Sequence, residues 1–166
     1  SEIFFKELEI PTPKYQLSVG SGKHGEQTTK MITKIKQVLE EEKPDAIIVY
    51  GDTNSTLAGA IAASKIHVPI IHIEAGLRSF DKAMPEEINR ILCDHCSTLL
   101  FSPTIHGYNN LLKEGFSAEI YNKPTADKPN IFHCGDIMYD NTLYFSQKLE
   151  DTKSEYGNNF ILCTIH

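Results

Sequence analysis

The sequence of 166 residues lacks a long apolar run, a signal-like start and an excess of positive charge. No run approaches the roughly 20 apolar residues of a membrane-spanning helix, and the start Ser-Glu-Ile-Phe-Phe-Lys is unlike a signal peptide. The formal net charge of -6 gives no general attraction to nucleic acid or to an anionic membrane. These absences predict a cytoplasmic protein that binds neither nucleic acid nor membrane.

Several nucleotide and hydrolase motifs are also missing. The chain has no G-x-G-x-x-G and no G-x-x-x-x-G-K-[ST], so neither a dinucleotide site nor a P-loop is indicated. Ser102 lies in Phe-Ser-Pro-Thr and not in a G-x-S-x-G elbow. A nicotinamide enzyme and a hydrolase of the elbow type are therefore disfavoured.

Cysteine is scarce, with four in the chain, which does not suggest a disulfide scaffold. The spacing of Cys93-Asp94-His95-Cys96 would suit a metal, but no second Cys or His pair completes four ligands. We favour a helix whose thiols face the core, with Asp94 and His95 elsewhere, and predict no metal site.

Helical and strand patterns alternate along the chain. Apolar residues at helical spacing, capping residues and short buried runs define the elements. Helices are predicted at 26–42, 57–64, 85–96, 104–114 and 138–149, and strands at 46–50, 69–73, 98–101 and 131–134, with 116–130 irregular.

This alternation predicts an α/β fold, a doubly wound parallel sheet with ligand sites beyond the carboxyl ends of its strands. A domain is expected over 1–150, followed by a linker at 151–159. The apolar run at 160–166 is interpreted as the first strand of a second domain, so the chain is expected to be truncated at both ends.

Three acidic residues fall where the strand-end rule places a site. Asp52 follows the first core strand, Glu74 follows the second, and Glu86 lies at the next helix start. Each alone is equally consistent with a helix cap or a backbone partner. Together with the adjacent Gly51 and Gly76, which permit tight turns, they favour a ligand site.

Histidine and arginine supply further candidates. His72 lies inside a predicted strand and is interpreted as a hydrogen-bonded core residue. His166 lies at the end of a predicted strand, the position at which ligand sites of parallel sheets are found. For Arg78 and Arg90, an ion pair with Glu86, Glu87 or Asp81 is slightly favoured over phosphate binding.

Three runs make the sequence resemble a known family. Residues 50–56 (Tyr-Gly-Asp-Thr-Asn-Ser-Thr), 72–79 (His-Ile-Glu-Ala-Gly-Leu-Arg-Ser) and 84–90 (Met-Pro-Glu-Glu-Ile-Asn-Arg) closely resemble signature segments of non-hydrolysing UDP-N-acetylglucosamine 2-epimerases. Residues 100–104, 134–140 and 162–166 are weaker matches. The resemblance spans nearly the whole chain and keeps the motif order.

The resemblance implies two Rossmann-like domains facing a cleft, as in glycosyltransferase-B-like proteins. It also implies a homodimer in the cytoplasm that acts on a UDP-sugar for cell-surface polysaccharide. In such a protein the present chain corresponds mostly to the first domain. By itself it is expected to have little or no activity.

The resemblance implies a mechanism and assigns its roles to specific residues. The family inverts C2 by eliminating UDP and adding it back to the glycal, and carboxylates suit the positive charge that develops on the ring. Asp52, Glu74, Glu86 and His166 match catalytic positions; Asp52, Glu74, Arg90 and His166 are expected to bind substrate. Asp52 and Glu86 are assigned to proton transfer and Glu74 to charge stabilisation. No cofactor is implied, because a C–O bond breaks and no hydride moves.

Other functions stay open at this point. The short stretch at 79–85 and the Asn-Ser-Thr after Gly-Asp-Thr also resemble epimerases of UDP-diacetamido uronic acids. Hydrolysing epimerases share the scaffold but match these runs less closely. A non-catalytic nucleotide-sugar-binding module is an alternative of another class, and a two-domain glycosyltransferase has only fold analogy behind it.

Overall fold

The computed structural model describes residue 5, residues 8–149, residue 161 and residue 163. The linker predicted at 151–159 and His166 lie outside these residues, as does most of the strand predicted at 160–166. The chain divides into two compact units, residues 1–135 and 136–166, each considered by itself. The predicted domain limits at 150 and 159 stay predictions.

The order of helices and strands predicted from the sequence is confirmed. The elements of the described part are α1 (His24–Glu42), β1 (Ile47–Tyr50), α2 (Asn54–Lys65), β2 (Ile70–Ile73), α3 (Pro85–Cys96), β3 (Leu99–Ser102), α4 (Ile105–Lys113), β4 (Asn130–His133) and α5 (Ile137–Leu149). The largest difference is at α2, which begins three residues earlier than predicted. Thr53 caps it there, accepting a hydrogen bond from the backbone N–H of Thr56 at 3.3 Å.

The four strands form one parallel sheet in the order β1-β2-β3-β4, which confirms the α/β class. Val49, His72, Leu100 and Ile131 stand side by side in register, each at most 7% exposed. Helix α2 packs on β1 and β2, α3 on β2, and α4 on β3 and β4. This row therefore lies under the helices, and burying each large aliphatic side chain contributes about 1.5–3 kcal/mol.

The neighbouring row of the sheet points the other way. It consists of Tyr50, Ile73, Phe101 and Phe132, and Tyr50 is 56% exposed. The rings of Phe101 and Phe132 stack with centroids 5.1 Å apart. Because β1 and β2 are parallel, their carboxyl ends lie at the same edge of the sheet. The polar turns that contain Asp52 and Glu74 follow at this edge.

The second unit contributes α5. Asp136 precedes the helix and its Oδ1 accepts from the backbone N–H of Met138 at 2.8 Å, which fixes the first turn. Apolar side chains of α5 such as Met138, Tyr139 and Tyr144 are more than half exposed. Among the described residues, no helix has the length and apolarity that crossing a membrane requires.

Candidate functional site

Two neighbouring turns carry Asp52 and Glu74. The backbone N–H of Gly51 donates to the carbonyl of Ile73 at 3.0 Å, which joins the ends of β1 and β2. Gly51 has φ +60°, and a Cβ built on it would lie 3.3 Å from Oε2 of Glu74. The Glu74 carboxylate therefore reaches the turn that presents Asp52, and the structure brings these two predicted site residues together.

Glu74 has an unusual backbone for a residue with a side chain. Its φ is +78°, a left-handed conformation that costs on the order of 1–3 kcal/mol and persists only where the surroundings impose it. The N–H groups of Glu74 and Ala75 both donate to the carbonyl of Phe101 at 3.0 Å, and that of Gly76 donates to Oδ2 of Asp94 at 3.0 Å. Three successive donors thus hold the turn and aim the carboxylate.

The Asp52 side chain is paired with Arg90. Nε and Nη2 of Arg90 lie 2.9 and 2.7 Å from Oδ2 of Asp52, and Nη1 lies 2.9 Å from Oε2 of Glu87. Asn89, one residue earlier on α3, donates to the carbonyl of Asp52 at 2.7 Å. The ion pair of Arg90 with Glu87 is as predicted; the pair with Asp52 was not foreseen, and a phosphate contact by Arg90 stays a prediction.

Adjacent glutamates at the start of α3 differ in environment. Glu86 is exposed and borders the cleft beside Asp52. Glu87 is 2% exposed and accepts from the backbone N–H groups of Ser79 and Phe80 at 2.9 and 3.0 Å. The ion pair of Glu87 with Arg90 was predicted, but the hydrogen bonds from Ser79 and Phe80 were missed, and no local spacing signals them.

A cleft of about 310 Å³ opens between α1, the Asp52 turn and the start of α3. Its lining includes Asp52, Glu86 and Asn89, and from α1 His24 and Gln27. These two α1 residues were also missed. Nδ1 of His24 lies 3.0 Å, and Oε1 of Gln27 3.2 Å, from Nδ2 of Asn54, which ties α1 to the turn.

Arg78 lies in a buried ion-pair cluster, and the partners predicted for it were wrong. Its Nη2 lies 2.7 Å from Oδ2 of Asp94, with both side chains fully buried, and its Nε donates to Oε1 of Glu114 at 2.7 Å. Burial by itself would lower the pKa of Arg78, but Glu114 and Asp94 outweigh it and the pKa is raised. Tertiary packing placed these carboxylates, which are distant in sequence, against the guanidinium.

The cysteines of α3 face the core, as predicted. Cys93 is fully buried and Cys96 packs against the same apolar cluster. Burial raises the pKa of Cys93 to about 12 and also raises that of Cys96. The prediction that Asp94 points away from the core was wrong: its side chain is fully buried, where it contacts Nδ1 of His72 and accepts from the backbone N–H of Gly76. Within the ranges that the structure describes, no three His, Cys, Asp or Glu residues form a group able to hold a metal ion.

Replacing Glu87 by glutamine is expected to lower the free energy of unfolding at pH 7 by about 2 kcal/mol or more, because a buried carboxylate with charged and backbone donors is lost. Burial works to raise the pKa of Glu87, but the N–H groups of Ser79 and Phe80 and the Arg90 guanidinium hold it below the ordinary 4.5. Its contribution is therefore complete above about pH 4.5 and is lost as the pH falls through the lower folded value.

Urea unfolding at pH 7 and in steps below pH 4.5 measures this difference. Glu86→Gln is the matched control, since an exposed neighbour should change stability by less than about 0.5 kcal/mol. Equal losses of unfolding free energy in the two variants would contradict the structural role of Glu87. A difference between Glu87→Gln and the parent that stays constant through the acid range would contradict it as well.

Known proteins resemble the chain along its length. A family model described as UDP-N-acetylglucosamine 2-epimerase matches residues 1–166. A UDP-2,3-diacetamido-2,3-dideoxy-D-glucuronate 2-epimerase from Pseudomonas aeruginosa is 51% identical over 100% of this chain and 45% of its own length. A UDP-N-acetylglucosamine 2-epimerase from Methanocaldococcus jannaschii is 46% identical over 99% of this chain and 44% of its own length.

A solved structure extends the comparison. The crystal structure of the M. jannaschii UDP-GlcNAc 2-epimerase in complex with UDP-GlcNAc and UDP matches with a TM-score of 0.82 and 50% identity. The match covers 92% of this chain and 40% of that one. The chain thus spans less than half the length of the relatives it matches.

Proposed function

The chain belongs to the UDP-N-acetylglucosamine 2-epimerase family, and on this premise we propose that the protein carrying it interconverts UDP-N-acetylglucosamine and UDP-N-acetylmannosamine. The reaction is elimination of UDP with loss of the C2 proton to give a glycal, followed by re-addition of UDP with a proton delivered to the opposite face of C2, which inverts that centre. The observation that carries the proposal is the position of Asp52 and Glu74 on adjacent strand-end turns, with Glu86 lining the same cleft as Asp52.

The chemistry needs negative groups near the sugar ring. The C2 hydrogen is not next to a carbonyl, so it becomes acidic only as the anomeric C–O bond breaks and the ring becomes positive. A carboxylate fixed beside that charge lowers the barrier, as in glycoside hydrolysis. Glu74 lies in a turn held by hydrogen bonds from the backbone N–H groups of residues 74, 75 and 76, which suits this preorganised role, and we assign it to sugar binding and charge stabilisation.

Inversion also requires proton transfer on both faces of C2. We assign these transfers to Asp52 and Glu86, which border one cleft from different elements. Both bonds that Arg90 makes to Asp52 use Oδ2, which leaves Oδ1 oriented by the same clamp for the substrate. In this proposal Arg90 acts first by positioning Asp52, and its contact with the UDP-sugar is the second part of its role. His166 is assigned to the diphosphate or the departing oxygen.

The diacetamido uronate is the second candidate substrate. The 51% identity to the P. aeruginosa enzyme supports it about as strongly as the M. jannaschii relative supports UDP-N-acetylglucosamine. Both substrates are UDP-sugars altered at C2, so the assignment of the carboxylates is the same for either. We further propose a cytoplasmic homodimer that needs no metal or nicotinamide and supplies a sugar for cell-surface polysaccharide.

Proton NMR in D₂O tests the proposal. The protein at the length of its relatives is expected to convert UDP-N-acetylglucosamine to UDP-N-acetylmannosamine with deuterium at C2, because the proton removed exchanges with solvent before return. The 166-residue chain alone is the control and is expected to show little or no turnover. Deuterium exchange at C2 of the diacetamido uronate, with none in UDP-N-acetylglucosamine, would identify the second candidate as the substrate. Tight binding of a UDP-sugar without C2 exchange in either compound would instead identify a non-catalytic binding module.

A further inference from the structure

His72 stands in the middle of β2 and is fully buried. Its Nε2 lies 2.8 Å from the carbonyl oxygen of Gly51, and its Nδ1 lies 2.7 Å from Oδ1 of Asp94. A carbonyl oxygen can only accept, so Nε2 carries a hydrogen and donates it. The ring thus spans from α3 to the end of β1, and the buried-histidine interpretation of the sequence is confirmed.

Asp94 orients that ring and serves a second turn at the same time. Its other oxygen, Oδ2, accepts from the backbone N–H of Gly76 at 3.0 Å and pairs with Nη2 of Arg78 at 2.7 Å. Two positive or polar donors on Oδ2 fix the plane of the carboxylate, and Oδ1 then fixes the imidazole. One buried carboxylate therefore connects the turn of Glu74 with the histidine that reaches the turn of Asp52.

The carbonyl that His72 holds belongs to the peptide unit between Gly51 and Asp52. Its orientation sets the direction in which the Cα of Asp52 presents its side chain. Gly51, with φ +60°, has the conformational freedom to let this peptide rotate if nothing held it. The hydrogen bond from His72 removes that freedom from inside the sheet, while Asn89 holds the next carbonyl from α3.

We propose that His72, oriented by Asp94, is a positioning residue that fixes the Gly51–Asp52 peptide and thereby places the Asp52 carboxylate relative to Glu74 for the reaction at C2. This inference rests on the proposed function. Misplacement of a reacting group by about 1 Å can cost 10²-fold in rate, so loss of the donor should act on turnover more than on substrate binding.

Two isosteric substitutions separate the two ends of the ring. The amide nitrogen of asparagine replaces Nδ1, so His72→Asn keeps a donor for Asp94 and removes the one for Gly51. The amide nitrogen of glutamine replaces Nε2, so His72→Gln keeps the donor for Gly51 and removes the one for Asp94. Both are made in the protein at the length of its relatives, and kcat, KM and the thermal midpoint are measured for each.

His72→Asn is expected to lower kcat about 10- to 100-fold with KM changed less than about threefold, and His72→Gln to stay within about fivefold of the parent kcat. Parent-like kcat in folded His72→Asn, or equal losses in both variants, would overturn the inference. Absence of turnover in the parent would instead overturn the proposed function. If His72→Asn does not fold, the protection of the backbone amides of residues 51–54 against hydrogen exchange is measured in His72→Gln and in the parent. Protection equal to that of the parent supports the inference, and lost protection overturns it.

Discussion

Asp52→Asn, made in the protein at the length of its relatives, is expected to lower kcat for C2 epimerisation about 10²-fold or more. The amide keeps the shape of the side chain but cannot take a proton from C2 or return one. It also weakens the pairing with Arg90, whose Nε and Nη2 both contact Oδ2. The measurement is the rate of deuterium incorporation at C2, with the thermal midpoint recorded to confirm that the protein is folded.

Asp45→Asn is the control for this experiment. Asp45 is an exposed aspartate just before β1, at the opposite end of the strand from Asp52. Its replacement removes the same charge from the chain and should leave kcat within about twofold. If Asp52→Asn is folded and turns over at a normal rate, Asp52 has no part in proton transfer, and Glu86 becomes the first candidate for it.

Gly76→Ala is expected to destabilise the protein by about 3 kcal/mol or more, enough to deplete the folded form. Gly76 has φ +79°, and a Cβ there would lie 2.3 Å from the backbone carbonyl oxygen of Gly107 and 2.9 Å from Cγ of Leu111. The turn after β2 would have to move away from the start of α4, which breaks the hydrogen bond from Gly76 to Asp94. Denaturant unfolding or the soluble yield measures the effect.

Gly115→Ala is the matched control that separates the steric clash from the backbone strain. Gly115 also has a positive φ, +99°, but a Cβ there meets nothing within 4 Å. Its cost should therefore be limited to backbone strain, on the order of 1 kcal/mol. Comparable losses for the two variants would show that conformation alone, and not the contact with Gly107, makes glycine necessary at position 76.

The sequence predicted the sheet and the two turns because those signals are local. Runs 47–50 and 70–73 are apolar except for His72, as is typical of strands in a parallel sheet, and the rule for strand ends then placed Asp52 and Glu74 at one edge. The approach of Glu74 to Gly51 needed only adjacent strands in register. Local pattern and topology were enough for that much of the site.

The network beneath the turns depends on tertiary packing, and the sequence did not reveal it. Asp94 lies within a Cys-Asp-His-Cys run that drew attention as a metal candidate, yet its carboxylate serves His72, Gly76 and Arg78. Nothing in the spacing of these residues shows that α3 turns Asp94 toward β2. The burial of Glu87 instead of Glu86 likewise follows from the path of the loop at 79–84, which short-range patterns do not encode.

The close approach of Gly51 to Glu74 also restricts how this site can vary. A side chain at position 51 would be pressed against the carboxylate at 3.3 Å in a conformation that disfavours any side chain. Substitutions at positions 51 and 74 are therefore expected to be coupled, because a side chain at 51 requires the carboxylate at 74 to shift.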